Sequence, residues 1–136
     1  MNPFDNNDIS TYTVETFGKS VRQRRKQLNL SGRELAKRIG VSPIYLSDIE
    51  RSIRPVPASP KIDIDYISAL ENELQLTASQ RKNFRNMAVC SNLKADRLLD
   101  NYFLNNPHAL KFFVTAIDEN WENTKWEMLL TLIDKK

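Results

Sequence analysis

Apolar residues return at helical intervals through most of this chain. Val14, Phe17, Val21 and Leu28 fall on one face of a helix predicted over 14–28. Leu35, Ala36 and Ile39 keep the same spacing, and Leu46 and Ile49 resume it after a break at Gly40–Val41. Ile64, Ile67, Leu70 or Glu71, and Leu74 mark a further helix over 64–76, and Phe84, Met87 and Ala88 mark the next. From Asn92 the pattern changes. The short amphipathic stretch ADRLLDNYFL leads to a helix with Leu110, Phe113, Val114 and Ile117 on its apolar face, then to one with Trp126, Leu129, Leu130 and Ile133. The prediction is an all-α fold.

The polar residues between these stretches supply the punctuation. Asn29–Leu30 turns the chain, and Ser31 with Glu34 forms a capping box at the start of the second helix. Gly40 is free to take a positive φ, which ends that helix and swings the chain. Ser42 is the predicted N-cap of the third helix, with Pro43 in its first turn, where a missing N–H costs nothing. Thr77 with Gln80 and Thr124 with Glu127 make two further capping boxes, and Pro107 opens another helix. Residues 1–13 are rich in Asn, Asp, Ser and Thr without periodicity, and are expected to form a flexible acidic arm. SIRPVPASPK, residues 52–61, holds three prolines and is the longest predicted non-helical stretch between helices.

Within Gly32–Arg51, read as GRELAKRIGVSPIYLSDIER, the small Ala36, the turn residue Gly40 and five larger apolar positions share one register. Two short helices joined by so tight a turn make a helix-turn-helix. At SGRELAKRIGVSPIYLSDIER the chain resembles the phage-repressor-like, lambda-type (XRE-type) helix-turn-helix DNA-binding regulators of bacteria and their mobile elements. The resemblance extends with less specificity from about Phe17 to about Val89. It implies a lambda-repressor-like bundle of about five helices over 14–92, to which the apolar pattern adds two or three short C-terminal helices over 93–136. It also implies double-stranded operator DNA as the partner, bound by a homodimer.

The resemblance places the third helix in the major groove. Leu46 and Ile49 face inward, so Pro43, Ile44, Ser47 and Asp48 face outward as the candidate base-reading residues. Asp48 can accept from a cytosine N4 amino group, and Ser47 can donate or accept. Pro43 and Ile44 offer only apolar contact, with thymine methyls as targets. Relatives often carry Gln at the places of Pro43 and Ile44, so bidentate reading of adenine is not expected here. Ser31, Arg33, Ser42, Tyr45, Arg51, Arg54 and Lys61 are the candidate contacts to the DNA backbone. Relatives commonly place a Gln at the position of Gly32; here Ser31 and Arg33 stand as its substitutes. Arg25 and Glu50 match positions that form a partly buried ion pair in relatives, locking the first helix to the end of the third.

Charge adds to this picture. The net charge of +3 hides an asymmetry. Residues 17–61 carry eleven Lys/Arg against Glu34, Asp48 and Glu50, a balance of +8, whereas 1–16 carry −3 and 62–136 carry −2. Positive charge concentrated on the helix-turn-helix segment favours a polyanion-binding face over an ordinary solvated one. The arm holds no Lys or Arg and is not expected to touch DNA.

A chain of 136 residues suggests one domain, or one plus an appendage, large enough to need no covalent staples. With one Cys (Cys90) and one His (His108) it has neither an internal disulfide nor a metal-ligand pattern. No apolar run approaches the ~20 residues of a membrane span, and the polar start MNPFDNNDIS is not that of a signal peptide. A cytoplasmic location is therefore expected, with the protein at the nucleoid of a bacterium or encoded by a phage. No nucleophile–base pair is apparent and three glycines build no phosphate cradle, so neither an enzyme nor a cofactor is expected. Two readings follow. One is a transcriptional regulator, a repressor rather than an activator, on an inverted-repeat operator. The other is an antitoxin or switch protein whose C-terminal helices bind a partner protein, with DNA binding used for autoregulation. Residues 93–136, with Tyr102, Phe103, Phe112, Phe113, Trp121 and Trp126, are too few for a core of their own. They must pack on the bundle, on a second copy, or on both.

Overall fold

A computed structural model describes residues 2–56 and 65–134. Among the described residues the chain forms eight α-helices and no strand: α1 (Thr16–Gln27), α2 (Gly32–Ile39), α3 (Pro43–Glu50), α4 (Tyr66–Glu73), α5 (Ala78–Lys94), α6 (Arg97–Asn105), α7 (Pro107–Asp118) and α8 (Asn123–Asp134). Helices α1–α5 are the five-helix bundle, and α6–α8 are the C-terminal helices. The 17-residue α5 is the axis of the fold. α1, α4, α6 and α7 all pack on it, while α2 and α3 pack on each other and against α4 and α1 respectively. One core runs from Phe17, Val21, Leu35, Leu46 and Ile49 through Leu70, Phe84 and Met87 to Phe103, Leu110 and Val114. Phe17 stacks on Phe84 with ring centroids 4.5 Å apart.

Side-chain caps open α2 to α6, whereas α1 and α7 have none, and several starts differ from expectation. Thr77 and Gln80 form the reciprocal box, Thr77 Oγ1 accepting from Gln80 N at 3.3 Å and Gln80 Oε1 from Thr77 N at 2.9 Å. Ser31 Oγ accepts from Glu34 N at 3.0 Å, but the Glu34 carboxylate turns to Arg38, 3.8 Å away, so only the forward half of that box is built. At α8 the box expected on Thr124 gives way to Asn123, which opens the helix and donates from Nδ2 to Glu127 at 3.1 Å. α1 begins at Thr16 rather than Val14. α4 begins at Tyr66 behind the N-cap Asp65, and Ile64, the expected first residue of its apolar face, lies outside the described residues.

Five helices end the same way, and only one of them uses glycine. Asn29, Gly40, Ser52, Gln75 and Asn120 all take positive φ, between 52° and 78°. In each case the next residue's N–H reaches back over the final turn: Leu30 to Arg25 O, Val41 to Ala36 O, Ile53 to Asp48 O, Leu76 to Glu71 O and Trp121 to Ala116 O, at 2.9–3.1 Å. This satisfies carbonyls that would otherwise be left unpaired at the helix ends.

The N-terminal segment corrects the expectation of a flexible arm. Residues 2–13 form two short 3-10 turns, Pro3–Asp5 and Ile9–Thr11, packed on the bundle. Phe4 and Tyr12 are fully buried, and the Phe4 ring meets Phe84 edge-on at 5.2 Å. α5 grips the segment along its length: Asn83 Nδ2 donates to Phe4 O at 2.8 Å, Ser91 Oγ to Val14 O at 2.8 Å, and Lys94 Nζ to Tyr12 O. Two aromatic anchors eight residues apart have no helical period, which hides them from a search for periodicity.

The C-terminal helices divide. α6 and α7 pack on α5, and α7 also on the Ile9–Thr11 turn, burying Phe103, Leu110 and Val114 in the common core. α8 buries no residue. Its Trp126 lies beside Phe112, Phe113 and Trp121, with centroids 5.4–6.3 Å away, while Met128, Leu130, Leu132 and Ile133 stay exposed.

Candidate nucleic-acid interface

The helix-turn-helix is built as its residues dictate. Gly40 takes φ 78°, closing α2, and Ser42 Oγ accepts from Tyr45 N at 3.1 Å, opening α3 behind Pro43. Leu46 and Ile49 point into the core with Leu35, Ala36 and Ile39. The opposite side of α3 is left to solvent: Pro43 and Ser47 are exposed, and Ile44 is 73% exposed. Among the described residues nothing covers this apolar side chain.

Two devices fix α3. Arg25, from the last turn of α1, donates from Nε to Glu50 Oε2 and from Nη2 to Glu50 Oε1, both at 2.9 Å, and from Nη1 to Leu30 O at 2.9 Å. The pair is nearly enclosed, with side chains 13% and 5% exposed, and its geometry is the fork-to-fork arrangement that best offsets desolvation. The hydrogen bonds that Arg25 donates to Glu50 hold its guanidinium above its ordinary pKa. The second device is Gly18, which sequence reasoning passed over. A Cβ there would stand 2.5 Å from Ile49 O and 2.6 Å from Glu50 O, so the backbone of α1 lies directly on the end of α3. Nothing in the local sequence signals this, because the contact is between segments thirty residues apart.

Of the candidate backbone contacts, Ser31, Arg33, Ser42 and Arg51 are exposed. Ser31 and Ser42 serve as N-caps of α2 and α3, so each marks a helix start with N–H groups available to an anion. Tyr45 is half-buried, 6.0 Å from the Tyr66 ring, and burial pushes its phenol above the usual pKa. Lys61 lies outside the described residues. Lys19, Arg22, Lys26 and Lys37 add exposed positive charge on α1 and α2.

Asp48 and Arg54 were assigned separate roles from sequence, yet the fold brings them together. Arg54 Nε donates to Asp48 Oδ2 at 3.2 Å, and its guanidinium carbon lies 5.2 Å from the centroid of the Tyr45 ring. The described segment that carries Arg54, residues 53–56, is held at two points. Ile53 N donates to Asp48 O at 2.9 Å, and the Asn92 amide pairs with both backbone groups of Val56 at 3.2 Å. Asn92 belongs to α5, thirty-six residues away, and no sequence signal marks it.

Residues 21–59 match the model of a helix-turn-helix family, the phage-repressor type of DNA-binding transcription regulator. The match covers α2, α3 and the turn between them, together with most of α1. No curated protein and no solved structure gives a match. Among the described residues no helix is long and apolar enough to cross a membrane.

Proposed function

We propose that this protein is a sequence-specific regulator of transcription that represses by occupying an inverted-repeat operator on double-stranded DNA as a homodimer. The observation that carries the reading is the outer side of α3: Ile44, Ser47 and Pro43 stand open to solvent on a helix whose inner side is pinned by Arg25–Glu50 and by Gly18. A rigid helix with an uncovered mixed apolar and polar side fits the major groove, where bases present donors, acceptors and methyl groups. In this reading Pro43, Ile44, Ser47 and Asp48 meet the bases. Ser31, Arg33, Ser42, Tyr45, Arg51, Arg54 and Lys61 hold the strands, fixing register without reading sequence.

The homodimer is supported by α8. Its apolar residues surround much of the helix and none is buried, and a helix of this length is marginal in water unless it packs against something. A second copy meeting through α6–α8 would cover it, and binding both half-sites requires such a dimer to hold its two α3 helices about one DNA turn, ~34 Å, apart. The same exposed helix favours the second reading, an antitoxin or switch protein with a partner seated on residues 93–136. Sedimentation of the pure protein at micromolar concentration separates them: a dimer favours the operator-binding homodimer, a monomer the partner-binding protein.

Selection of bound duplexes from a random DNA pool tests the main reading. The expected result is an enriched inverted repeat with half-sites about ten base pairs apart. Enrichment of no sequence, or binding that falls with salt equally on every duplex, would refute it.

A further inference from the structure

We infer that Arg54 reads a guanine in the major groove and that Asp48 is the residue that positions it, an assignment that rests on the DNA-binding reading above and alters two of its roles. A side chain that only grips phosphate needs charge and reach. Arg54 has much more than that. Its Nε edge is taken by the Asp48 carboxylate at 3.2 Å, its face lies over Tyr45 at 5.2 Å, and Tyr45 is itself backed by Tyr66 at 6.0 Å. The loop beneath is pinned to α3 through Ile53 N–Asp48 O and to α5 through the Asn92–Val56 pair. Yet the Arg54 side chain remains 51% exposed, against 21% for Asp48. The carboxylate sits beneath and the guanidinium outside.

Planar guanidinium chemistry supplies the rest. With Nε engaged by Asp48, the far end of the group presents Nη1 and Nη2 as two parallel donors. That spacing matches guanine O6 and N7, the pair of acceptors that a fixed arginine fork recognises best. Holding the fork beforehand removes most of the ordering that a free arginine would undergo on binding. The pair is also close to neutral, so Arg54 contributes little to the general attraction between a basic surface and the strands. Asp48, with one oxygen committed to Arg54, acts through that residue and not as an independent acceptor for cytosine.

Random-pool selection with the wild type, Arg54→Ala and Asp48→Ala, at one salt concentration, tests the assignment. The wild-type site should hold a guanine at one position of each half-site. Both variants should lose the preference at that same position and keep the others. Replacing that guanine by 7-deazaguanine, which lacks the N7 acceptor, should weaken wild-type binding about tenfold and leave Arg54→Ala unaffected. If Arg54→Ala keeps every preference and merely binds all duplexes more weakly, the assignment is wrong and the DNA-binding reading survives. Relaxation by the two variants at different positions overturns the positioning role of Asp48. A wild type that enriches nothing overturns this inference together with the reading it rests on.

Discussion

Residues 2–13 carry two large aromatic side chains among mostly polar neighbours, and both are enclosed: Phe4 is 0% and Tyr12 1% exposed. α8 carries Trp126, Met128, Leu129, Leu130, Leu132 and Ile133 and buries none of them. Hydrophobic density along the chain would have ranked these two segments the other way round. What separates them is the presence of a receiving surface. Phe84 offers Phe4 a ring edge, and Asn83, Ser91 and Lys94 pair with the backbone groups that the N-terminal segment brings with it. Burial of apolar area without partners for the attached polar groups gains little. α8 meets Phe112, Phe113 and Trp121 through Trp126 and Lys125, and Met128, Leu130, Leu132 and Ile133 are left exposed.

The sharpest way to break that contrast is to remove an anchor from the enclosed side. Phe4→Ala should lower the stability to urea by about 3–5 kcal/mol, the range for emptying an aromatic site in a core. A loss under about 1 kcal/mol would mean that the segment is not part of the cooperative unit. A middle-sized effect comes from alkali. Burial pushes the Cys90 thiol up to about 11 and the Tyr12 phenol up to about 12, from ordinary values of 9.0 and 10.0. Both groups ionise first in the unfolded chain, so the stability they confer is complete below pH 9 and is lost as pH rises from 9 through 11 and towards 12. The urea midpoint should fall over that window by the equivalent of on the order of 2–3 kcal/mol for each group, and Cys90→Ala should flatten its lower part. The smallest effect belongs to α8. Leu132→Glu should change the stability of the dilute protein by less than about 0.5 kcal/mol. The same variant should abolish any dependence of the melting temperature on protein concentration. A large loss of stability at high dilution would place Leu132 in the core and erase the contrast.

Much of the helix-turn-helix was legible because its signals are local. Ser31, Gly40, and Ser42 with Pro43 act within a turn of where they stand, and Leu35, Ala36, Ile39, Leu46 and Ile49 share a period. The pairing of Arg25 with Glu50 could be anticipated only through the family resemblance, since twenty-five residues separate them. Other features left no local trace. Asn29, Ser52, Gln75 and Asn120 end helices in the left-handed region without glycine, where the next residue's bond to the carbonyl five residues back offsets a cost of about 1–2 kcal/mol. Phe4 and Tyr12 were read as part of an arm because isolated anchors have no period. The pairing of Asp48 with Arg54 leaves no local trace either, because a side chain six positions on, past the end of a helix, has no fixed direction until Asn92 holds Val56.

Gly18 separates two properties of α3, how far it stands out from the bundle and what it presents to solvent. Because the backbone of α1 rests directly on the end of α3, the height of α3 above the bundle depends on a missing atom at position 18 as well as on its own inward side chains Leu46, Ile49 and Glu50. Pro43, Ile44 and Ser47 can therefore be exchanged as a cassette without tilting the platform that holds them out, whereas a single methyl at position 18 would act as a wedge beneath all three at once.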